Sequence, residues 1–195
     1  MRIMKVIAIN GSPRKNGNTY QAIQIVFEEL AKEDIETDLI QLADKTINPC
    51  KACYKCAKNR DNRCAGTPDD DLNEILEKML EADGIILGSP TYFANVSSSM
   101  KAVIDRAGLV AKINGDSLKR KVGAAVIAVR RHGATDVFSA LNYFFLINEM
   151  IVPGSSYWNL VIGLNPGDIK KDEEGIQTLR NLGKNMAWLL KKLAE

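Results

Sequence analysis

Residues 3–19 read Ile-Met-Lys-Val-Ile-Ala-Ile-Asn-Gly-Ser-Pro-Arg-Lys-Asn-Gly-Asn-Thr. The first seven form a short, mostly apolar run rich in branched side chains, which suits a strand buried on both faces of a parallel sheet. A polar loop from Gly11 to Thr19 follows. Beyond it Ile23, Val26, Phe27, Leu30 and Ala31 recur at three- and four-residue spacing, the apolar stripe of a helix over 19–32. Strand, loop and helix together open a crossover unit, the connection that parallel strands require.

The alternation continues along the chain. Residues 35–42 carry Glu36, Thr37 and Asp38, which are costly in a central strand, so this strand is expected at an edge. Thr67-Pro68-Asp69-Asp70-Asp71 reads as a helix start, with threonine as cap, proline in the first turn and carboxylates beside the positive end of the helix dipole. Its stripe is Leu72, Ile75, Leu76, Met79 and Leu80. Further strands at 84–88, 121–129 and 157–163 alternate with helices at about 96–111, 135–150 and 174–193. Five strands alternating with five helices predict an α/β doubly wound parallel sheet with right-handed crossovers, helices on both faces and the common order 2-1-3-4-5. No repeat or linker interrupts the pattern, so residues 1–195 read as one domain with a long cysteine-bearing loop at about 47–66.

Composition agrees with such a domain, since 46% of the 195 residues are hydrophobic and 26% charged. Twenty-six lysines and arginines against 24 aspartates and glutamates leave a net charge of +2, too balanced to predict nucleic-acid binding. The longest apolar run, Val122 to Val129, falls short of the roughly 20 residues that span a bilayer. The apolar stretch after Lys5 is also too short for a secretory signal, so a cytoplasmic location away from membranes is expected.

In a sheet of this order, ligands bind beyond the carboxyl ends of the strands, where the order reverses between strands 1 and 3. Three loops meet there. The first, Gly11 to Thr19, combines glycines, the hydroxyls of Ser12 and Thr19, and a helix amino terminus, a set that donates to phosphate oxygens. It has neither the spacing nor the lysine of a nucleoside-triphosphatase loop, and no Gly-x-Gly-x-x-Gly fingerprint. A terminal monophosphate, as on FMN, fits it best, with Ser12, Arg14, Asn16, Gly17, Asn18 and Thr19 as candidate contacts. The second loop offers Pro90, Thr91, Tyr92, Phe93, Ala94 and Asn95, whose amides and aromatic surface suit a flat ring. The third, Arg130-Arg131-His132-Gly133-Ala134-Thr135, contributes Arg130, the chain's one histidine, His132, and Gly133, which lets backbone approach a ring. No side chain is assigned as a catalytic acid, base or nucleophile.

All four cysteines, Cys50, Cys53, Cys56 and Cys64, fall in the long loop. A secreted disulfide framework would spread its cysteines over the fold, so thiolate ligation of a metal is the better reading. A tight x2, x2 run delivers three thiolates from one short piece of chain, as an iron-sulfur cubane requires, and the fourth comes from further on. Zinc sites more often set two cysteine pairs a dozen or more residues apart, and a metal-free remnant is the remaining alternative.

Gly-Ser-Pro-Arg-x-x-Gly-Asn-Thr at 11–19, Ser-Pro-Thr-Tyr at 89–92, Lys101 with Asp105-Arg106, and Arg-Arg-His-Gly at 130–133 resemble the flavodoxin-like NAD(P)H-dependent FMN reductase superfamily. With Cys50-x2-Cys53-x2-Cys56-x7-Cys64 added, the chain is similar to the iron-sulfur flavoproteins within it. The resemblance implies FMN and a [4Fe-4S] cluster on the four cysteines, with NAD(P)H as a possible substrate. It further implies homodimers or homotetramers, and an acceptor such as a quinone, oxygen, peroxide or a redox protein like ferredoxin. A cluster-free NAD(P)H-dependent FMN or quinone reductase and a non-catalytic electron carrier are the alternatives. Lys101, Asp105 and Arg106 read as helix-surface pairing and subunit contacts, since Lys101 and Asp105 stand four apart.

Overall fold

The structure, a computed structural model, describes residues 3–195. Five parallel strands, β1 (Lys5–Asn10), β2 (Glu36–Gln41), β3 (Gly84–Pro90), β4 (Val122–Val129) and β5 (Leu160–Ile162), lie in the order β2-β1-β3-β4-β5. This is the order the sequence predicts. Among the described residues the helices are α1 (Asn18–Ala31), α2 (Lys55–Asn59), α3 (Leu72–Glu81), α4 (Ser98–Ile113), α5 (Ala134–Ile147) and α6 (Glu173–Ala194). None of them is long and apolar enough to cross a membrane.

Strand periodicity explains why helices cover both faces. Successive side chains of a strand point to opposite sides. Val6 and Ala8 of β1 share a core with Ile23, Val26 and Leu30 of α1 and Leu179, Leu182 and Met186 of α6. Ile7 and Ile9 share the other core with Ile75 and Met79 of α3, Val103 of α4 and Leu141 and Phe145 of α5. All four β1 side chains are fully buried, so the strand reads as a continuous apolar run rather than an alternating one. The second strand is an edge strand as expected, pairing only with β1 and leaving Glu36 exposed.

Several local expectations are corrected. The third helix begins at Leu72 rather than Thr67, and neither Thr67 nor Asp71 caps it through its side chain. The Asp71 carboxylate instead accepts from the Thr46 amide at 2.6 Å, and the Thr67 carbonyl accepts from Arg106 at 3.1 Å. Local support at the helix start comes from Asp70, whose Oδ1 accepts from the Leu72 amide at 3.3 Å. The fifth strand is three residues rather than 157–163, pairing only with Ile127–Val129 of β4. The cysteine loop contains α2, whose five residues are too few to show helical periodicity in a sequence.

Phe145 is wholly buried and its ring lies against Gly123 of β4, where a Cβ would come 2.5 Å from Cδ1. Phe145→Ala is expected to lower stability by about 3–5 kcal/mol, because the cavity between α5 and the sheet cannot collapse fully. Urea unfolding followed by circular dichroism checks this.

Candidate functional site

A cavity of about 240 Å3 opens at the carboxyl ends of β1, β3, β4 and β5, at the reversal between β1 and β3. Larger depressions lie at the amino end of the sheet, about 370 Å3 beside Met4 and Asp83, and along α4 and α5, about 470 Å3 beside Ile104 and Tyr143. Position and chemistry, rather than size, single out the smaller one.

The loop after β1 is held from several sides. The Gly11 amide donates to the Gly88 carbonyl at 2.7 Å, Ser97 Oγ donates to the Gly11 carbonyl at 2.7 Å, and Gln41 Nε2 donates to the Ser12 carbonyl at 2.6 Å. Ser12 Oγ accepts from the Arg14 amide at 3.1 Å, which leaves the hydroxyl proton to donate elsewhere. The chain then turns at Gly17, whose amide meets the Arg14 carbonyl at 3.1 Å and where a Cβ would come 2.9 Å from Arg14 Cβ. Gly17 is the N-cap of α1 and brings no side chain to it. The first helical bond runs from Gln21 to Gly17, so the amides of Asn18, Thr19 and Tyr20 precede the ladder and point out of the helix end. Free amides at a helix amino terminus are suited to an anion.

Ser12, Arg14, Asn18 and Thr19 line the cavity from this side. Asn18 has a double use: its Oδ1 accepts from the Gly167 amide at 2.9 Å, and its Nδ2 lies against Gly163, where a Cβ would come within 2.7 Å. Arg14 Nη1 donates to the Leu164 carbonyl at 3.1 Å. Gly163 and Leu164 therefore complete the wall. The sequence reading does not include these two. Their signal is the turn-rich stretch Gly163-Leu164-Asn165-Pro166-Gly167 after a strand.

From the opposite side come Pro90, Thr91, Tyr92 and Arg130. Thr91 also lines the cavity, and its Oγ1 is buried with no hydrogen-bond partner, a polar atom left unsatisfied beside the cavity. Asn16, Gly17, Phe93, Ala94, Asn95, His132 and Gly133 stand outside the lining. Asn16 and His132 are exposed, and Phe93 is fully so. Asn95 exchanges backbone bonds with Tyr92, and its Oδ1 accepts from the Val96 amide, closing a tight turn in which Phe93 and Ala94 have φ near +50°. Gly133 caps α5 with φ +86° and presses on this turn, since a Cβ there would come 2.9 Å from Ala94 Cα. Its backbone packs against the loop after β3, and Gly133 is not among the residues that line the cavity.

The cysteine loop leaves the same edge of the sheet after β2. Ala52, Tyr54, Arg60 and Asn62 all have φ between +49° and +58°, a run of left-handed residues that folds the chain back on itself. Cys50 and Cys53 are exposed, Cys56 and Cys64 buried. Cys53 Sγ rests against Gly66, where a Cβ would come within 2.7 Å, and Cys64 is fixed by a reciprocal pair of bonds with Asn73 at 2.8 and 3.2 Å. Burial pushes the Cys56 thiol up, and the neighbouring Cys64 and Cys53 add to the rise. Among the described residues no three Cys, His, Asp or Glu side chains converge closely enough to hold a single ion.

Arg106 is a correction. It is not a surface residue; its side chain is wholly buried beside Cys64 and forms a salt bridge with the equally buried Asp70. Asp70 does not serve the helix dipole alone: it accepts both terminal nitrogens of Arg106 and the Asn48 amide. Burial pushes the Asp70 carboxyl up, but Arg106 and the Asn48 amide outweigh it and hold the group below the usual carboxylate range. Lys101 and Asp105 do pair on the exposed side of α4, as expected.

Residues 4–164 match the family model described as NADPH-dependent FMN reductase. An iron-sulfur flavoprotein of Methanocaldococcus jannaschii is 45% identical over 96% of this chain and 98% of its own length. The chain belongs to the iron-sulfur flavoproteins of the NADPH-dependent FMN reductase family. A second relative, the iron-sulfur flavoprotein of Methanosarcina thermophila, is 36% identical over 96% of this chain and 95% of its own. The fold is flavodoxin-like: a solved archaeal flavodoxin, 16% identical, superimposes with a TM-score of 0.62 over 96% of this chain and 99% of that one.

In this family member the buttress at Gly133 can be tested directly. Gly133→Ala is expected to cost about 1–3 kcal/mol in backbone strain, plus the clash with Ala94. Gly115→Ala is the control, because Gly115 has the same φ of +86° with open space around it. Urea unfolding should show the larger loss at Gly133.

Proposed function

We propose that this chain is an FMN-dependent oxidoreductase that passes electrons between a [4Fe-4S] cluster on Cys50, Cys53, Cys56 and Cys64, the flavin, and an external donor or acceptor. One observation carries the flavin assignment. At a single cavity, a helix amino terminus without a side-chain cap faces a loop whose Thr91 hydroxyl is buried and unpartnered. The first suits a phosphate and the second a polar ring edge, so the residues fit FMN. The relatives' shared description as iron-sulfur flavoproteins supports both groups. The chemistry of the donor set suits a cluster: four free thiols on one loop, with a buried cation donating to Cys64.

When bound, FMN accepts or gives electrons in pairs or singly, and a cluster exchanges them one at a time. The chain's own work is placement. The amides of Asn18, Thr19 and Tyr20, the Ser12 and Thr19 hydroxyls and Asn18 Nδ2 would hold the phosphate, with Arg14 and Arg130 balancing its charge. Thr91 Oγ1 would orient the ring, and Pro90 and Tyr92 would shield it from water. The open side of the cavity leaves access for a small donor such as NAD(P)H. Steady-state turnover with a pyridine nucleotide separates this reading from a non-catalytic carrier.

FMN, not FAD, is expected to be released from the purified protein. Thr19→Val and Asn18→Ala should each weaken FMN binding by about 1–3 kcal/mol, measured by flavin fluorescence titration. Release of FAD, or unchanged affinity in both variants, would overturn the cavity assignment.

Anaerobically prepared protein should contain four irons and four acid-labile sulfides per chain. Cys53→Ser, which exchanges a soft thiolate for a poorer ligand, should lower that content while FMN binding stays intact. Stoichiometric zinc without sulfide would refute the cluster.

A further inference from the structure

We infer that Arg106 is the positioning residue of the cysteine centre, closing the loop around Cys64 and supplying the positive charge that eases one-electron reduction of a cluster held there. The inference rests on the cluster reading above. Arg106 lies on α4, not in the cysteine loop, and its side chain is fully buried. Each of its three nitrogens has a task. Nε donates to Cys64 Sγ at 3.3 Å, Nη1 to the Asn48 carbonyl at 3.0 Å, and Nη2 to the Thr67 carbonyl at 3.1 Å. Asn48 and Thr67 bracket the four cysteines, so one planar group ties both ends of the segment to α4 and touches a sulfur between them. Lysine has one nitrogen and cannot make this fork.

Stability alone does not account for the arrangement. A buried ion pair is matched or bettered in stability by apolar residues of similar volume. What an apolar replacement cannot do is donate to sulfur. Hydrogen bonds to cluster sulfurs and net local charge are the protein's means of setting a cluster's potential. Reduction adds one electron and so one negative charge, which a guanidinium against Cys64 stabilises. Asp70, held by the same guanidinium, offsets part of that charge. Removing either charge therefore shifts the potential, and the two shifts have opposite signs.

The test uses Arg106→Gln, Arg106→Lys and Asp70→Asn in FMN-loaded protein purified anaerobically. Dithionite supplies the electron in a mediated titration followed by paramagnetic resonance, and iron and sulfide are counted in each sample. Arg106→Gln should lower the reduced-to-oxidised ratio at fixed potential at least tenfold, about 59 mV for one electron. Asp70→Asn should raise the ratio, and Arg106→Lys, which keeps the charge but loses the fork, should fall between parent and Arg106→Gln. Amide hydrogen exchange over residues 47–66 in cluster-free protein should quicken in both Arg106 variants, a readout that does not involve electron transfer. If Arg106→Gln does not fold, judged by FMN retention, the sign at Asp70→Asn decides. Shifts of the same sign, unchanged potentials with the cluster in place, or collapse of every variant to flavin-free protein would overturn the inference and leave a purely structural pair. A parent protein without iron and sulfide would instead remove the cluster reading and this inference with it.

Discussion

All five strands run parallel, and that constraint governs everything else. Parallel strands send every carboxyl end to the same edge, so the loops after β1, β2, β3, β4 and β5 gather there whatever their composition. Parallel pairing also demands crossovers, and the crossover helices bury both sheet faces in two separate cores. The apolar runs of β1, β3 and β4 follow from that double burial. So does the location of the cavity, because the order reverses between β1 and β3 and opens a gap between diverging loops.

At that gap, free backbone donors stand at the end of α1, and side chains set the backbone that carries them. Gly11, Ser12 and Gly17 are committed to Gly88, Gln41, Ser97 and Arg14, so the loop is shaped before any anion arrives. The helix end it presents is left free of a side-chain cap, which is unfavourable in isolation and useful for an anion. On the facing side the loop after β3 holds two residues in the left-handed region and is propped by Gly133 from the next connection. The rigidity of each wall thus comes from a neighbour distant in sequence, a common way to keep a site preorganised while its own donors remain unspent.

The cysteine loop solves a different problem. It carries its four cysteines at an edge of the fold through a chain with four left-handed residues, and of the four only Cys56 and Cys64 reach the core. Support comes from outside: Asn73 of α3 holds Cys64, Asp70 and Asp71 hold the backbone at Thr46 and Asn48, and Arg106 of α4 reaches across. A buried guanidinium would be costly alone; Asp70, two carbonyls and a sulfur satisfy it.

The sequence by itself determined the alternation of strands and helices, the edge position of β2 and the gathering of the four cysteines in one loop, because these follow from periodicity, strand composition and residue positions; the order 2-1-3-4-5, the common one for such an alternation, is the order found. It also carried the family, through short motifs scattered over nearly the whole chain. What it left hidden is tertiary. The Asp69-Asp70-Asp71 run reads as carboxylates at a helix start, and nothing local tells that Asp70, besides accepting from the Leu72 amide, also pairs with Arg106, 36 residues on. Arg106 beside Lys101 and Asp105 reads as surface charge, yet a helix places neighbouring residues on different faces, and only packing decides which face is inward. Gly163 and Leu164 line the cavity directly after β5 ends at Ile162, where the sequence alone would carry the strand on to 163. Thr91 gives no sign in sequence that its hydroxyl lacks a partner, since partnership depends on every loop around it. Local chemistry is written residue by residue, whereas burial, facing and the satisfaction of polar atoms belong to the folded whole.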